Sequence, residues 1–386
     1  MEYKRVRGAA VPVYGIMRRK TVCFFCGDIT RCGGTERAST MVANLLHRQG
    51  SYKVVFLSLT EQGSEPFFPL DEGIARCRLG DSWISPGPGY LKVLPKLRRF
   101  LKDQDVDVIV DIDIVLDSLS VPASAGLKAR VVSWEHFNYQ FELSVPYRRL
   151  ILKHLTRRTD YVVTLTERDR GEYVRRFGPQ GRIRAIGNPI GEVASMPGIR
   201  KENWIVTVGR LTPEKGPEHL LEAARHVLGK HPDWRWIVLG EGEMRPFLED
   251  GIRRRRLEGR LILEGSVKDV GAYLRKSRIY AMTSRYEGLG ICLLEAKAHG
   301  LPCVAFDVPA GPAELIADGV NGYLIPAFDC GVMAERIGRL IEEEALRERF
   351  SSNAGLGMEK YGPDFVLEQW NRVIGQACSP GRRRSA

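Results

Sequence analysis

Ser284-Arg285-Tyr286-Glu287-Gly288-Leu289-Gly290-Ile291-Cys292-Leu293-Leu294-Glu295-Ala296 sets two carboxylates, Glu287 and Glu295, with seven residues between them. In an unbroken helix such a pair would stand ~12 Å apart and ~80° out of phase. Gly288 and Gly290 argue against that helix, because glycine favours turns and costs a helix interior about 1 kcal/mol. The stretch therefore predicts a loop carrying Glu287, then a helix starting near Gly290 with Glu295 in its first turns. Both carboxylates would look into one cleft, beside N–H groups that favour an anionic ligand.

On the N-terminal side of this stretch, short apolar runs alternate with helical periodicity. Thr21 to Cys26 reads as a strand, Gly27 to Gly34 as a glycine-bearing loop, and Thr35 to Gln49 as a helix with Ala38, Met41, Val42, Leu45 and Leu46 on one side. Further strands are expected at Tyr52 to Leu59, Asp107 to Ile114, Arg130 to Trp134 and Tyr161 to Leu165. The pattern pauses near residue 190, with a loop from Met196 to Asn203, and resumes at Trp204 to Val208. A helix from Pro217 to His231 follows, then strands at Trp234 to Leu239, Leu261 to Leu263, Ile279 to Thr283, Pro302 to Phe306 and Gly322 to Ile325. Such alternation predicts an α/β protein of two doubly wound parallel sheets facing a cleft, with ligands at the carboxyl ends of the strands.

The totals agree with two domains: 386 residues, 44% hydrophobic and 27% charged. No apolar run approaches the ~20 residues that span a bilayer, and the basic leader has no apolar secretory core. The expected place is the cytoplasm. Eight cysteines are scattered; Cys23-x-x-Cys26 with Cys32 has no second Cys or His pair to complete a zinc site, so buried free thiols are expected. A net charge of +11 asks for an acidic partner, and nucleic acid, anionic lipid and phosphorylated small molecules all qualify. Arg253 to Arg256 lacks the interleaved aromatics of a nucleic-acid site, so nucleic acid is set aside.

The second half opens with Val208-Gly209-Arg210-Leu211-Thr212-Pro213-Glu214-Lys215-Gly216, a strand end that puts two cations before a helix, a setting suited to a diphosphate. Leu239-Gly240-Glu241-Gly242 and Glu264-Gly265-Ser266-Val267 close two later strands. Together with Ala296-x-Ala298-x-Gly300-x-Pro302-x-Val304, Glu314-Leu315-Ile316 and Asp318-Gly319-x-x-Gly322, these motifs resemble the donor half of a retaining family 4 glycosyltransferase. The likeness runs from about Val206 to Ile325. Gly33-Gly34-Thr35-Glu36-Arg37 resembles the glycine loop of that family's first domain, Asn188-Pro189 its linker, and Ser133 to Asn138 a segment of members that build bacterial surface polysaccharides.

The resemblance implies the GT-B fold, two Rossmann-like domains facing a central cleft. It divides the chain into a basic leader at 1–19, an acceptor-binding domain at 20–188, a nucleotide-sugar domain at 189–358, a helix crossing back at 359–376 and a basic disordered tail at 377–386. By the same resemblance, Glu295 holds the ribose hydroxyls and Glu287 the donor sugar, while Arg210 and Lys215 steady the departing diphosphate. His136 positions the sugar. Gly33, Gly34, Gly209, Gly288, Leu289 and Gly290 line the donor site. The plain alternatives are that Glu287 caps a helix, Glu295 pairs with Lys297 or a distant Arg, and His136 is a core residue.

The implied activity is retaining hexosyl transfer from a nucleotide-diphosphate sugar, with a UDP-sugar leading, to a glycan or polyprenyl-linked acceptor. No cofactor or metal is expected, since the two cations would do a metal's work. Asp111-Ile112-Asp113 has the form of a metal motif but sits at a strand tip with no further ligands near in sequence. A nucleotide-sugar epimerase and a non-catalytic nucleotide-sugar binder are the competing readings. The basic stretches Leu91 to Lys102 and Tyr147 to Arg158 are either anionic-membrane surfaces, giving a peripheral protein on the inner face of the membrane, or ordinary surface helices.

Overall fold

A computed structural model describes residues 18–379 except 82–83, 85–87, 179–181 and 192–198. The basic leader before residue 18, the tail beyond 379 and the first part of the loop expected over 196–203 lie outside the described residues.

The first domain carries β1 (Lys20–Cys26), β2 (Tyr52–Ser58), β3 (Ala75–Arg78), β4 (Val108–Ile112), β5 (Arg130–Trp134), β6 (Tyr161–Thr164) and β7 (Ile183–Ala185). They form one parallel sheet in the order β3-β2-β1-β4-β5-β6-β7. From Val22 on, central β1 is apolar because helices cover both faces. Val22, Phe24 and Cys26 enter one core cluster, and Cys23 and Phe25 the other. The Cys23 and Cys26 thiols thus point to opposite faces, both buried and free, which rules out their chelating one ion.

The second sheet holds β8 (Trp204–Val208), β9 (Arg235–Leu239), β10 (Leu261–Gly265), β11 (Ile279–Met282), β12 (Cys303–Phe306) and β13 (Gly322–Ile325), in the order β10-β9-β8-β11-β12-β13. All its described pairings are parallel too. The order reverses direction at β1 and β4 in the first sheet and at β8 and β11 in the second, which opens a crevice at the strand ends.

After the second domain the chain returns. Ile190 N–H donates to the Tyr361 carbonyl at 2.9 Å. The helix Pro363–Ala377 then lays Val366, Trp370, Val373 and Ile374 into the first domain's core. Trp370 meets Trp134 at 4.7 Å and Phe24 at 6.3 Å between ring centroids.

Three expectations need correction. Strands β3 and β7 have no counterpart in the sequence reading: each is short, edge-placed and interrupted by arginines, so neither shows apolar alternation. The strand expected through Ile114 stops at Ile112, where Asp113 takes φ 103° and caps a short 3-10 turn by accepting from Val115 N–H. Arg148, counted among the membrane-facing cations, turns inward. It is 5% exposed and bonded to Glu142 and Asp113. Partners on neighbouring helices explain Asp111-x-Asp113: Asp113 pairs with Arg148, and Asp111 is fully buried and accepts from Ser120 at 2.6 Å. Burial and the bonded Asp111 carboxylate push the Asp117 carboxyl well above the usual range.

Candidate functional site

Gly209 follows β8 directly, and the turn Pro213–Lys215 comes before the helix Pro217–Lys230. Gly216 between them has φ 64°, and a Cβ there would strike the Thr283 carbonyl. This close approach clips the turn to the end of β11. Thr283 Oγ1 donates to the Lys215 carbonyl at 3.0 Å, and Arg285 N–H to the Glu214 carbonyl at 2.7 Å. The two loops run side by side as a result, and Lys215 Nζ reaches Glu287 Oε1 at 2.7 Å. Burial works against the Lys215 ammonium, yet the Glu287 carboxylate outweighs it and holds the pKa above its ordinary value.

Gly290, at φ 83°, starts the helix Ile291–Ala298, as the glycine spacing predicted. Glu295 lies in its second turn, 15% exposed at the side chain. Oε1 pairs with Arg37 from the first domain, while Oε2 is buried with no hydrogen-bond partner among the described residues. Burial raises the Glu295 pKa and Arg37 opposes the rise. The bland alternative of a distant arginine is therefore partly realised, with one oxygen left over.

Arg37, within the Gly33 to Arg37 motif but not among the expected site residues, is the first-domain cation that meets Glu295 in the cleft. It rides the first turn of the helix Gly34–Gln49, whose N-cap is Gly33. A Cβ on Gly34 would lie 4.0 Å from Ile291 Cδ1, so two helix N-termini face each other across the cleft. Neither has a side-chain cap. Two positive dipole ends suit an anion, although at the first the Glu36 carboxylate already lies over Gly33 and accepts from its own backbone N–H. The Arg210 side chain is 52% exposed, and among the described residues its ion-pair partner is Glu214 at 3.5 Å, which leaves it room to turn toward a ligand.

The first domain reaches the loop of Glu287 through β5 and the segment after it. Asn138 Nδ2 donates to the Glu287 carbonyl at 3.0 Å. A Cβ on Gly288 would collide with the His136 carbonyl oxygen. His136 itself is 8% exposed, its ring 4.5 Å from that of Trp134, and its Nε2 has no partner among the described residues. Burial pushes its imidazole down to about 3, so it is neutral at working pH. Leu289 is 1% exposed and packs in the core. Gly209 lies in ordinary contact with the Lys215 stem. Among the described residues, no group of three His, Cys, Asp or Glu is placed to hold a metal ion.

Two doubly wound domains that meet across a charged crevice, with the last helix returned to the first, define a GT-B enzyme. The chain belongs to glycosyltransferase family 4. The family model described as Glycosyltransferase Family 4 matches residues 32–191, and Glycosyl transferases group 1 matches 195–356. An uncharacterized glycosyltransferase of Haemophilus influenzae is 31% identical over 92% of this chain and all of its own length. The amylovoran biosynthesis glycosyltransferase AmsD of Erwinia amylovora is 29% identical over 90% of this chain and 97% of its own. Among solved structures, Anabaena HepE in complex with UDP and glucose superposes with a TM-score of 0.77 at 18% identity, covering 92% of this chain and 99% of that one.

Proposed function

We propose that this glycosyltransferase moves a hexosyl unit from a UDP-sugar, with retention and without a metal, to a glycan or polyprenyl-linked acceptor in polysaccharide synthesis. The observation that carries this reading is the Lys215–Glu287 pair beside two uncapped helix N-termini. The AmsD relative, named for amylovoran biosynthesis, supports the pathway class, and the UDP in HepE supports the nucleotide. The second domain would hold the donor and the first the acceptor.

In the proposed step the bond from the sugar's anomeric carbon to the diphosphate oxygen breaks through an oxocarbenium-like state. The acceptor hydroxyl bonds to the same face, and its proton leaves with the phosphate. Arg210 and Lys215 neutralise the growing charge. Glu287, already aimed by Lys215, takes sugar hydroxyls. Glu295 takes the ribose hydroxyls, releasing Arg37.

The test is a panel of UDP-sugars with acceptor and excess EDTA, the product anomer being read by NMR. A retained product formed in EDTA is expected; inversion, or strict dependence on manganese or magnesium, overturns the reading. Arg210→Ala should lower kcat roughly 10²- to 10³-fold. Glu295→Ala should instead weaken UDP binding roughly ten- to a hundredfold, as befits lost hydrogen bonds to a charged group. Wild-type behaviour in both variants means that the site lies elsewhere, and an isomerised donor formed without acceptor would favour an epimerase.

A membrane partner forms part of the proposal. On the helix Pro146–Leu155 and the short helix Tyr139–Ser144 before it, Leu143, Tyr147 and Leu150 are exposed, beside Arg149 and Lys153 and a surface cavity of about 480 Å³. Apolar residues among cations suit an anionic leaflet. The other basic helix, Pro88–Asp103, instead buries Val93, Leu97 and Leu101 against its own sheet. No helix among the described residues is long and apolar enough to cross a membrane. Sedimentation should occur with anionic liposomes and not with neutral ones.

A further inference from the structure

Clustered aromatic side chains left in water mark binding sites. Phe137 is 36% and Tyr286 46% exposed, and half-buried Phe141 lies between them. The Phe137 and Phe141 rings stack at 4.9 Å between centroids, and Tyr286 meets Phe141 edge-on at 6.0 Å. Two rings belong to the first domain and the third to the second, so the row exists only when the cleft is assembled. Each end adjoins the site in sequence: Phe137 follows His136, and Tyr286 precedes Glu287. Asn138 fixes the register between them. It caps the short helix Tyr139–Ser144 through Phe141 N–H at 2.9 Å and donates to the Glu287 carbonyl.

The chemistry of the row selects its ligand. The Arg148 guanidinium supports the rings, 4.7 Å from the Phe137 centroid and 5.6 Å from that of Phe141. Its charge is balanced by the Glu142 and Asp113 carboxylates, which engage all three of its nitrogens, and it is 5% exposed. The rings therefore present a neutral apolar surface. A pyranose ring has a matching face of C–H groups, with hydroxyls around its edge. His136, next to Phe137 in the chain, is nine-tenths buried and its Nε2 has no partner among the described residues.

We propose that Phe137, Phe141 and Tyr286 form the subsite for a neutral pyranose ring of the acceptor glycan, stacked beside the reacting centre. The proposal rests on the glycosyl-transfer reading above. The experiment is saturation-transfer NMR of methyl glucoside, methyl galactoside and methyl N-acetylglucosaminide with the full chain and saturating UDP. UDP stabilisation in thermal unfolding, recorded in parallel, reports the donor reading separately. At least one glycoside should receive saturation at its ring protons. Tyr286→Ala should weaken that glycoside roughly five- to tenfold, and Tyr286→Phe should restore it, while the UDP shift stays as in wild type. Tyr286 is exposed, so its removal spares the fold; Phe141→Leu keeps the apolar volume and should weaken the glycoside likewise. The proposal is overturned if UDP binds normally yet no glycoside is saturated, or if Tyr286→Ala and Phe141→Leu bind as wild type.

Discussion

Single residues in the cleft carry out-of-the-ordinary electrostatics, and His136 shows how burial becomes a pH effect. Its imidazole titrates at about 3 in the fold against 6.5 when unperturbed, because burial disfavours the charged ring. Below pH 6.5 the unfolded chain therefore binds more protons than the native one, and stability drops as pH falls from 6.5 toward 3. The contribution reaches ~2 kcal/mol by pH 5. Denaturant unfolding at pH 7, 6 and 5 should show this loss, and His136→Gln should flatten it; an unchanged slope would mean that the ring is not held neutral. The sequence named His136 but gave no way to know its burial, which comes from Trp134 and the opposing Gly288 loop. Arg37 was hidden for the same reason: its partner Glu295 lies in the other domain.

At the scale of elements, much of the architecture was legible. The start of the helix Ile291–Ala298 followed from glycine spacing alone, and β5, β8 and β13 match their expected bounds because apolar runs flanked by turn residues leave little freedom. What could not be read was how loops from different elements interlock. Gly288 looked like a turn residue, yet its φ is not positive; it is glycine because the His136 carbonyl occupies the place of a side chain. Gly288→Ala should force the two domains apart locally. A shift of ~1 Å at reacting groups can cost roughly a hundredfold, so kcat should fall by about that factor with the thermal midpoint lowered. Near wild-type turnover would show that this contact does not set the catalytic spacing.

Taken whole, the molecule is closed by its last helix. Trp370 is fully buried against Trp134 and Phe24. Trp370→Ala should cost about 3–5 kcal/mol, and thermal unfolding should show the loss in the first domain, with ligand-induced stabilisation by UDP still measurable. Stabilisation of the first domain unaffected by this change would mean that the helix is an ornament on a self-sufficient core. The return of Pro363–Ala377 also bears on how the protein is made. A ribosome adds roughly 5–20 residues per second, so the first sheet waits many seconds, while the entire second domain is synthesised, before the surface around Phe24 and Trp134 receives its cover. During that interval a nascent chain carries an open apolar face, a natural stopping place for a chaperone that guards unfinished domains.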